Sequence, residues 1–289
     1  MCPRGEMVDT KDLKSLPARE CQFESGRGHQ KIKYMDKFHF VFDTTKKSVR
    51  LKKILLKKYK NYTLKKSQVI IVAGGDGFML KTMKKYFKFD KAFFGINCGL
   101  IGFLMNRYTQ KKITEKINKS KLININPLEI KVKNINNKIS KYLAINDLSL
   151  FRQSKQTAFL NLKVNSKILI KKLIGDGVLV STPAGSTAYN LSIHGPILSL
   201  NSKKLAITPI SPFRPRRWVG KIVSDKKKIS IVNIDPKKRP IAAVADNNEI
   251  RNIKKVEISA NKKIKFKLLF NSSESLLKKI KLEQLKKIN

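Results

Sequence analysis

The chain has 289 residues, 41% of them hydrophobic, and a formal net charge of +43. That length and apolar content suit one large or two ordinary globular domains, and no apolar run reaches the ~20 residues of a membrane span, so no membrane partner is expected. The charge raises nucleic-acid binding, but 52 of the 63 basic residues are lysines scattered through every segment beside abundant Ile and Asn. This is the texture of AT-rich codons and reads as a solvated basic surface, with no specific nucleic-acid partner.

Residues 1–30 have another texture, with no Ile, no Asn, and five basic residues against five acidic ones. They lack the apolar h-region of a secretory signal, and their acidic residues do not suit a transit peptide. Lys11–Leu16 and Gln22–Ser25 can be encoded by the anticodon-arm and TΨC-loop sequences of a transfer-RNA gene. The expectation is therefore a non-native or disordered leader over 1–34, with Met35 as the natural start. Genomic codons that do not fold as such arms would refute it. Cys2, Cys21 and Cys98 have neither metal-ligand spacing nor a disulfide framework, as expected of a reducing, cytoplasmic protein.

Phe38–Phe42 reads as a first strand, and Asp43 and Thr44 can cap a helix from about Thr45 to Lys60. The β-branched run Val69–Val72 then breaks into Gly74-Gly75-Asp76-Gly77, followed by a helical pattern to about Phe87. Such a glycine turn permits positive φ and close approach of a ligand, and the free amides of a helix N-terminus favour an anion such as phosphate. Asp76 would repel phosphate unless it faces a metal ion or a hydroxyl that must lose its proton, which suits phosphoryl transfer. Capping of its own helix is the other reading. Ala92–Asn97 is a further buried strand, leading into the glycine-containing Gly99–Leu104, and Thr109–Lys119 is helical. This alternation predicts a parallel sheet covered by helices over residues 35–121.

From Leu122 the pattern turns to short strands: Leu128–Val132, Tyr142–Phe151, Phe159–Val164, Ile168–Leu173, Val178–Ser181, Ile207–Pro209, Ile229–Ile234, Ile241–Ala245, Val256–Ser259 and Ile264–Leu269. They predict a mainly antiparallel domain over 122–270. A C-terminal helix within 271–289, about Ser275–Ile288, is expected to pack back on the first domain. Asn146-Asp147 interrupts an apolar run, and two buried polar groups need partners, either a ligand or a hydrogen-bonded strand end. Gly175-Asp176-Gly177 enters a strand, and Ser181, Thr182, Ser186 and Thr187 surround Pro183-Ala184-Gly185 ahead of a short helix, Thr187–Ile193. Tyr189 offers an aromatic face for a base, or core packing. Cys98 and His194 lack the spacing of a nucleophile pair, which excludes a Cys–His hydrolase.

Taken in order, Gly74–Gly77, Gly95–Asn97 with Gly99–Leu104, Asn146-Asp147, Gly175–Gly177, Ser181–Pro196 and Ile207–Pro212 resemble the NAD kinase family, closest to its bacterial short-chain branch. The GGDG turn is shared with lipid and sugar kinases of the wider superfamily, an alternative reading that Thr182–Ser192 disfavours. The resemblance implies an α/β N-terminal domain with a Rossmann-like parallel sheet and a β-rich C-terminal domain, the NAD kinase/diacylglycerol kinase-like fold. It also implies ATP-dependent phosphorylation of the 2′-hydroxyl of NAD's adenosine ribose. Asp76 takes the general-base position, with Gly77 beside the dinucleotide and Gly74 and Gly75 facing the phosphoryl donor. Asn146, Asp147, Asp176, Ala184 and the run Thr187, Ala188, Tyr189, Asn190, Leu191, Ser192 match the NAD site. A divalent cation, magnesium by preference, and a homodimer or homotetramer are implied as well. The chain departs from many relatives at Phe78 (threonine), Phe213 (histidine) and Asn247 (glycine).

Overall fold

The computed structural model describes residues 34–100, 102–109, 112–271 and 279. Apart from Tyr34 and Lys279, the expected leader and the expected C-terminal helix lie outside the described residues.

In chain order the elements are β1 (Phe38–Phe42), α1 (Lys46–Lys58), β2 (Val69–Gly74), α2 (Asp76–Tyr86), β3 (Ala92–Asn97), α3 (Ile113–Lys119) and β4 (Lys121–Ile125). There follow β5 (Leu128–Asn134), β6 (Ile139–Ala144), β7 (Asp147–Arg152), β8 (Ala158–Val164), β9 (Lys167–Gly175), β10 (Gly177–Ser181) and α4 (Tyr189–Ser192). The chain then adds β11 (Lys204–Ile210), β12 (Lys221–Ser224), β13 (Ile229–Asn233), β14 (Ile241–Ala245), β15 (Asn248–Ile250), β16 (Ile253–Ala260) and β17 (Phe266–Phe270).

The first sheet has the order β1-β2-β3-β17-β4, parallel except for β4. Its central strands are apolar on both faces because α1 and α3 cover one side and α2, with part of the β-rich region, covers the other. Val69, Ile71 and Ala73 of β2 pack with Leu51 and Leu55 of α1 and Ile113 and Ile117 of α3. Ile70 and Val72 turn the other way, onto Met79 and Met83 of α2, in a cluster that also holds Ile145, Ala184 and Leu200. A one-residue slip of β2 would exchange these two faces, so its register is fixed by packing. Phe266–Phe270 returns from the far end of the sequence to lie between β3 and β4. Its Leu268 and Leu269 fill opposite faces.

Two further six-stranded sheets, β12-β11-β10-β7-β14-β15 and β6-β5-β16-β13-β8-β9, enclose a third core. The alternating Leu128, Ile130 and Val132 of β5 and Ile229 and Ile231 of β13 meet Leu148 and Leu150 of β7 and Val178 and Val180 of β10.

Four local expectations are corrected. Helix α1 is capped by Thr45, whose hydroxyl accepts from the Ser48 amide at 3.3 Å, while Asp43 receives Thr45 one step earlier. The expected helix Thr109–Lys119 begins only at Ile113. Tyr142–Phe151 is broken at Ile145-Asn146 into β6 and β7, which lie in different sheets. The amides of Ile145, Asn146 and Asp147 all donate to the Asp246 carboxylate and are lost to the ladder. Thr187–Ile193 is likewise two pieces, a 3₁₀ turn at Gly185–Thr187 and α4, because Ala188 sits at φ −93° and ψ −133°, outside the helical range.

Candidate active site

The GGDG turn lies at the carboxyl end of β2, where ligands bind in open α/β sheets. Positive φ is not its device, since Gly75 is extended (φ −101°, ψ 179°) and Gly220 is the positive-φ glycine among the described residues. Gly74 is there for packing, because a Cβ would stand 2.7 Å from the Phe78 ring and 2.9 Å from the Asp43 carboxylate. Gly75 and Gly77 face open space, with nothing within 4 Å of a Cβ. A ligand can therefore come up to the first amides of α2, which have no partner within the helix.

Asp76 opens that helix without capping it. Its carboxylate reaches across to the loop after β3 and accepts from the Phe103 amide at 2.8 Å and the Leu104 amide at 3.0 Å. The same loop is held from its carbonyl side by Lys279. That ammonium is buried and donates to Gly102 at 3.0 Å, Phe103 at 3.3 Å and Met105 at 2.5 Å, above the ring of Phe270. Burial pushes the Asp76 carboxyl up, against the lowering by the two amides and by Lys279. It is thus a stronger base than an exposed aspartate, and each carboxylate oxygen keeps a lone pair for a further donor.

The second group is the break between β6 and β7. Asp246 follows β14 at φ 50° and gathers Ile145 N at 2.8 Å, Asn146 N at 2.9 Å and Asp147 N at 3.4 Å. From the other side Thr182 donates its hydroxyl to Ile145 O at 2.7 Å and its amide to Asn146 O at 2.8 Å. Gly185 is required here, because a Cβ would stand 2.2 Å from that Asn146 oxygen. With the backbone fixed on both sides, the Asn146 side-chain oxygen is buried without a hydrogen-bond partner. Asp147 is 8% exposed, and its carboxyl is pushed up to about 7, by burial first and then by the Asp246 carboxylate.

The third group is at the other end of the β7–β10 pair. Asp176 accepts from Arg152 Nε at 2.5 Å and is 37% exposed. The flanking glycines are structural: a Cβ on Gly177 would stand 1.8 Å from Leu150 O, and one on Gly175 2.9 Å from Ser211 O. Tyr189 is exposed, with its ring 5.7 Å from that of Phe151. Its hydroxyl is pushed up by burial and then by the charges of Asp176 and Asp147, so it shares their field. Ala188 and Leu191 are half-buried and Ser192 is exposed. Thr187 and Asn190 are buried, and Ala184 lies in the cluster beneath α2. The Asn190 side chain is committed to the interior, donating to Ser186 O and Pro196 O and accepting from Thr208 at 2.7 Å. It has only its main chain to offer a ligand.

Sequence reasoning missed Arg152 and Lys279. In a chain so rich in lysine no local signal marks Lys279, and Arg152 stands at a strand end like any other surface base. Asp246 was visible only as the first half of an Asp-Gly pair common in relatives, whose second position is Asn247 here.

The NAD kinase C-terminal domain family matches residues 145–268, the stretch that carries the second and third groups. An NAD kinase of Zymomonas mobilis is 43% identical over 242 residues, 83% of this chain and 94% of that protein. One from Xanthomonas campestris is 38% identical over 252 residues, 86% and 98% of the two chains. Among solved structures, yeast NADH kinase complexed with NADH superposes with a TM-score of 0.66 at 22% identity, over 79% of this chain and 68% of that one. An Archaeoglobus fulgidus NAD kinase in complex with ATP gives 0.65 at 19% identity, over 84% and 98%. The two structures share the fold, and with relatives this similar along most of its length, the chain belongs to the NAD kinase family.

Proposed function

We infer that this protein is a phosphotransferase that moves the γ-phosphoryl group of ATP to the 2′-hydroxyl of the adenosine ribose of NAD, giving NADP and ADP. The observation that carries this reading is the Asn146 oxygen, buried without a partner beside Asp147 on a turn whose backbone is fixed from both sides. An orphaned buried acceptor costs about 1–3 kcal/mol, and the adenosine of NAD, with its amine and ribose hydroxyls, supplies the missing donors. A diacylglycerol has one hydroxyl, the group that must stand at Asp76, and brings no further donor to Asn146, which disfavours that lipid-kinase reading.

Asp76, Gly74, Gly75 and Gly77 then serve the transfer. The amides at the start of α2 hold the donor's phosphates, and open space at Gly75 and Gly77 lets them approach. A ribose hydroxyl is a far weaker acid than a carboxylic acid, so Asp76 does not deprotonate it beforehand. It accepts a hydrogen bond that orients the hydroxyl and takes the proton late, as phosphorus–oxygen bond formation advances. The carboxylate is aimed for this by the Phe103 and Leu104 amides. Asn146 and Asp147 recognise the adenosine, and Asp176 and Tyr189 are placed to meet the remainder of the dinucleotide.

No three His, Cys, Asp or Glu side chains are gathered as a cation site among the described residues. A resident metal does not fit them, and magnesium enters as the substrate complex with ATP, held chiefly by phosphates and water. A cytoplasmic homodimer or homotetramer belongs to the same reading. Its support is an apolar groove of ≈ 670 Å³ that Leu169, Ile170, Pro215 and Ile234 help to line. Exposed Ile168, Phe213 and Val219 are further apolar side chains left uncovered in the single chain.

A panel of acceptors offered with labelled ATP and magnesium tests the reading. NAD should take the label while diacylglycerol and hexose phosphates do not, and transfer to either of those instead would overturn it.

A further inference from the structure

We propose that Lys84 is a positioning residue for this phosphoryl transfer, acting through Asp246 to set where the Ile145–Asp147 turn stands relative to the helix that begins at Asp76. The inference rests on the functional reading above and adds a residue that reading does not use.

Lys84 lies eight residues after Asp76 on α2, or about 12 Å along the axis at 1.5 Å per residue. Its ammonium stands 2.7 Å from Asp246 Oδ2, and the carboxylate side chain is 2% exposed. The other ion pairs among the described residues end on carboxylates that are 11% to 76% exposed. Exposed pairs add little, whereas a buried carboxylate must be matched on all sides. Asp246 is matched by the amides of Ile145, Asn146 and Asp147 and by one ammonium. Its own amide returns a bond to Asp147 O at 3.2 Å.

The partition of these contacts defines the role. The three amides tie the turn to the end of β14, inside the β-rich part. Lys84 is the polar contact that ties the same carboxylate to α2. Ile145 also packs in the cluster with Met79 and Met83, a non-directional contact made through flexible methionines. The ion pair adds a directional, charge-assisted contact at 2.7 Å. Asp76 sits at one end of α2 and the acceptor's recognition groups are fixed to the helix two turns on. The helix and this pair together thus set the distance between the base and the hydroxyl it must orient. A misplacement of about 1 Å there costs on the order of a hundredfold in rate.

The test uses the full chain with Lys84→Met, which keeps the stem and removes the ammonium, and Lys84→Arg, which keeps the charge. With NAD and ATP saturating, Lys84→Met should lose roughly tenfold or more in kcat, while KM for ATP stays within about twofold. Lys84→Arg should recover most of the loss. Amide exchange at Ile145, Asn146 and Asp147, read without substrates, should quicken in Lys84→Met. A lowered Tm with kcat unchanged would make Lys84 merely structural and overturn the proposal, as would Lys84→Arg as slow as Lys84→Met. Wild-type protein that makes no NADP would remove the functional reading alone. The exchange rates would still decide the strut, and unchanged protection at 145–147 in Lys84→Met would overturn it.

Discussion

Replacing Asp147 with asparagine should stabilise the empty protein and cripple its use of NAD. The carboxyl is pushed up to about 7 in the folded chain, by burial and then by Asp246, against ~3.9 for a free aspartate. Between those two values the folded state holds a proton that the unfolded state has released. Stability from this group is complete below about pH 4 and is lost as pH rises towards 7. Above that, the fold carries a buried, ionised carboxylate. A difference of about three units at 1.36 kcal/mol each makes that penalty about 4 kcal/mol at pH 8, and about 1.5 kcal/mol at pH 5. Asp147→Asn removes it, so urea unfolding at both pH values should show a gain that grows by about 2–3 kcal/mol between them. The same variant should raise KM for NAD roughly ten- to a hundredfold at pH 8, because a hydrogen bond to a charged group is worth about 1.5–3 kcal/mol. KM for ATP should barely move. A variant whose stability differs from wild type by the same amount at pH 5 and pH 8 would refute the burial argument, and an unchanged KM for NAD would refute the binding role.

Asp76→Asn should lower kcat by roughly 10²–10⁴-fold. Its effect on stability has two opposed parts, relief of the burial that pushes the carboxyl up and loss of one of the bonds from the Phe103 and Leu104 amides. Wild-type kcat in that variant would remove Asp76 from the mechanism. Gly185→Ala would place a Cβ 2.2 Å from Asn146 O, so the recognition turn must shift. The expected outcome is a raised KM for NAD with KM for ATP near normal, and kinetics equal to wild type would show that the turn tolerates the displacement.

The α/β beginning was legible because Val69–Ala73 is buried on both faces and therefore apolar at every position. The antiparallel part was legible because strands such as Leu128–Asn134 alternate buried and exposed residues. Two features were not. Nothing local tells Phe266–Phe270 to rejoin the first sheet parallel to β3, since five apolar or basic residues fit any interior strand. Nothing in the apolar run around Asn146 reveals that an aspartate a hundred positions later takes its amides. The site shows the same division. Asn146 and Asp147 stood out as polar groups where burial was expected, and Asp76 as a carboxylate among amides that favour an anion. The residues that aim them, Asp246, Lys84 and Lys279, act across sheets and look like ordinary surface charges in a chain with 52 lysines.

The central claim is that the acceptor is the 2′-hydroxyl of NAD's adenosine ribose, oriented by Asp76. The most direct measurement incubates the purified protein with NAD, ATP and magnesium and follows the product with a dehydrogenase that accepts only the 2′-phosphorylated dinucleotide. Asp76→Asn runs in parallel. The account predicts steady formation of NADP matched by ADP, reduced at least a hundredfold in the variant. Absence of 2′-phosphorylated product from the wild-type protein, or equal rates in the two proteins, would contradict it.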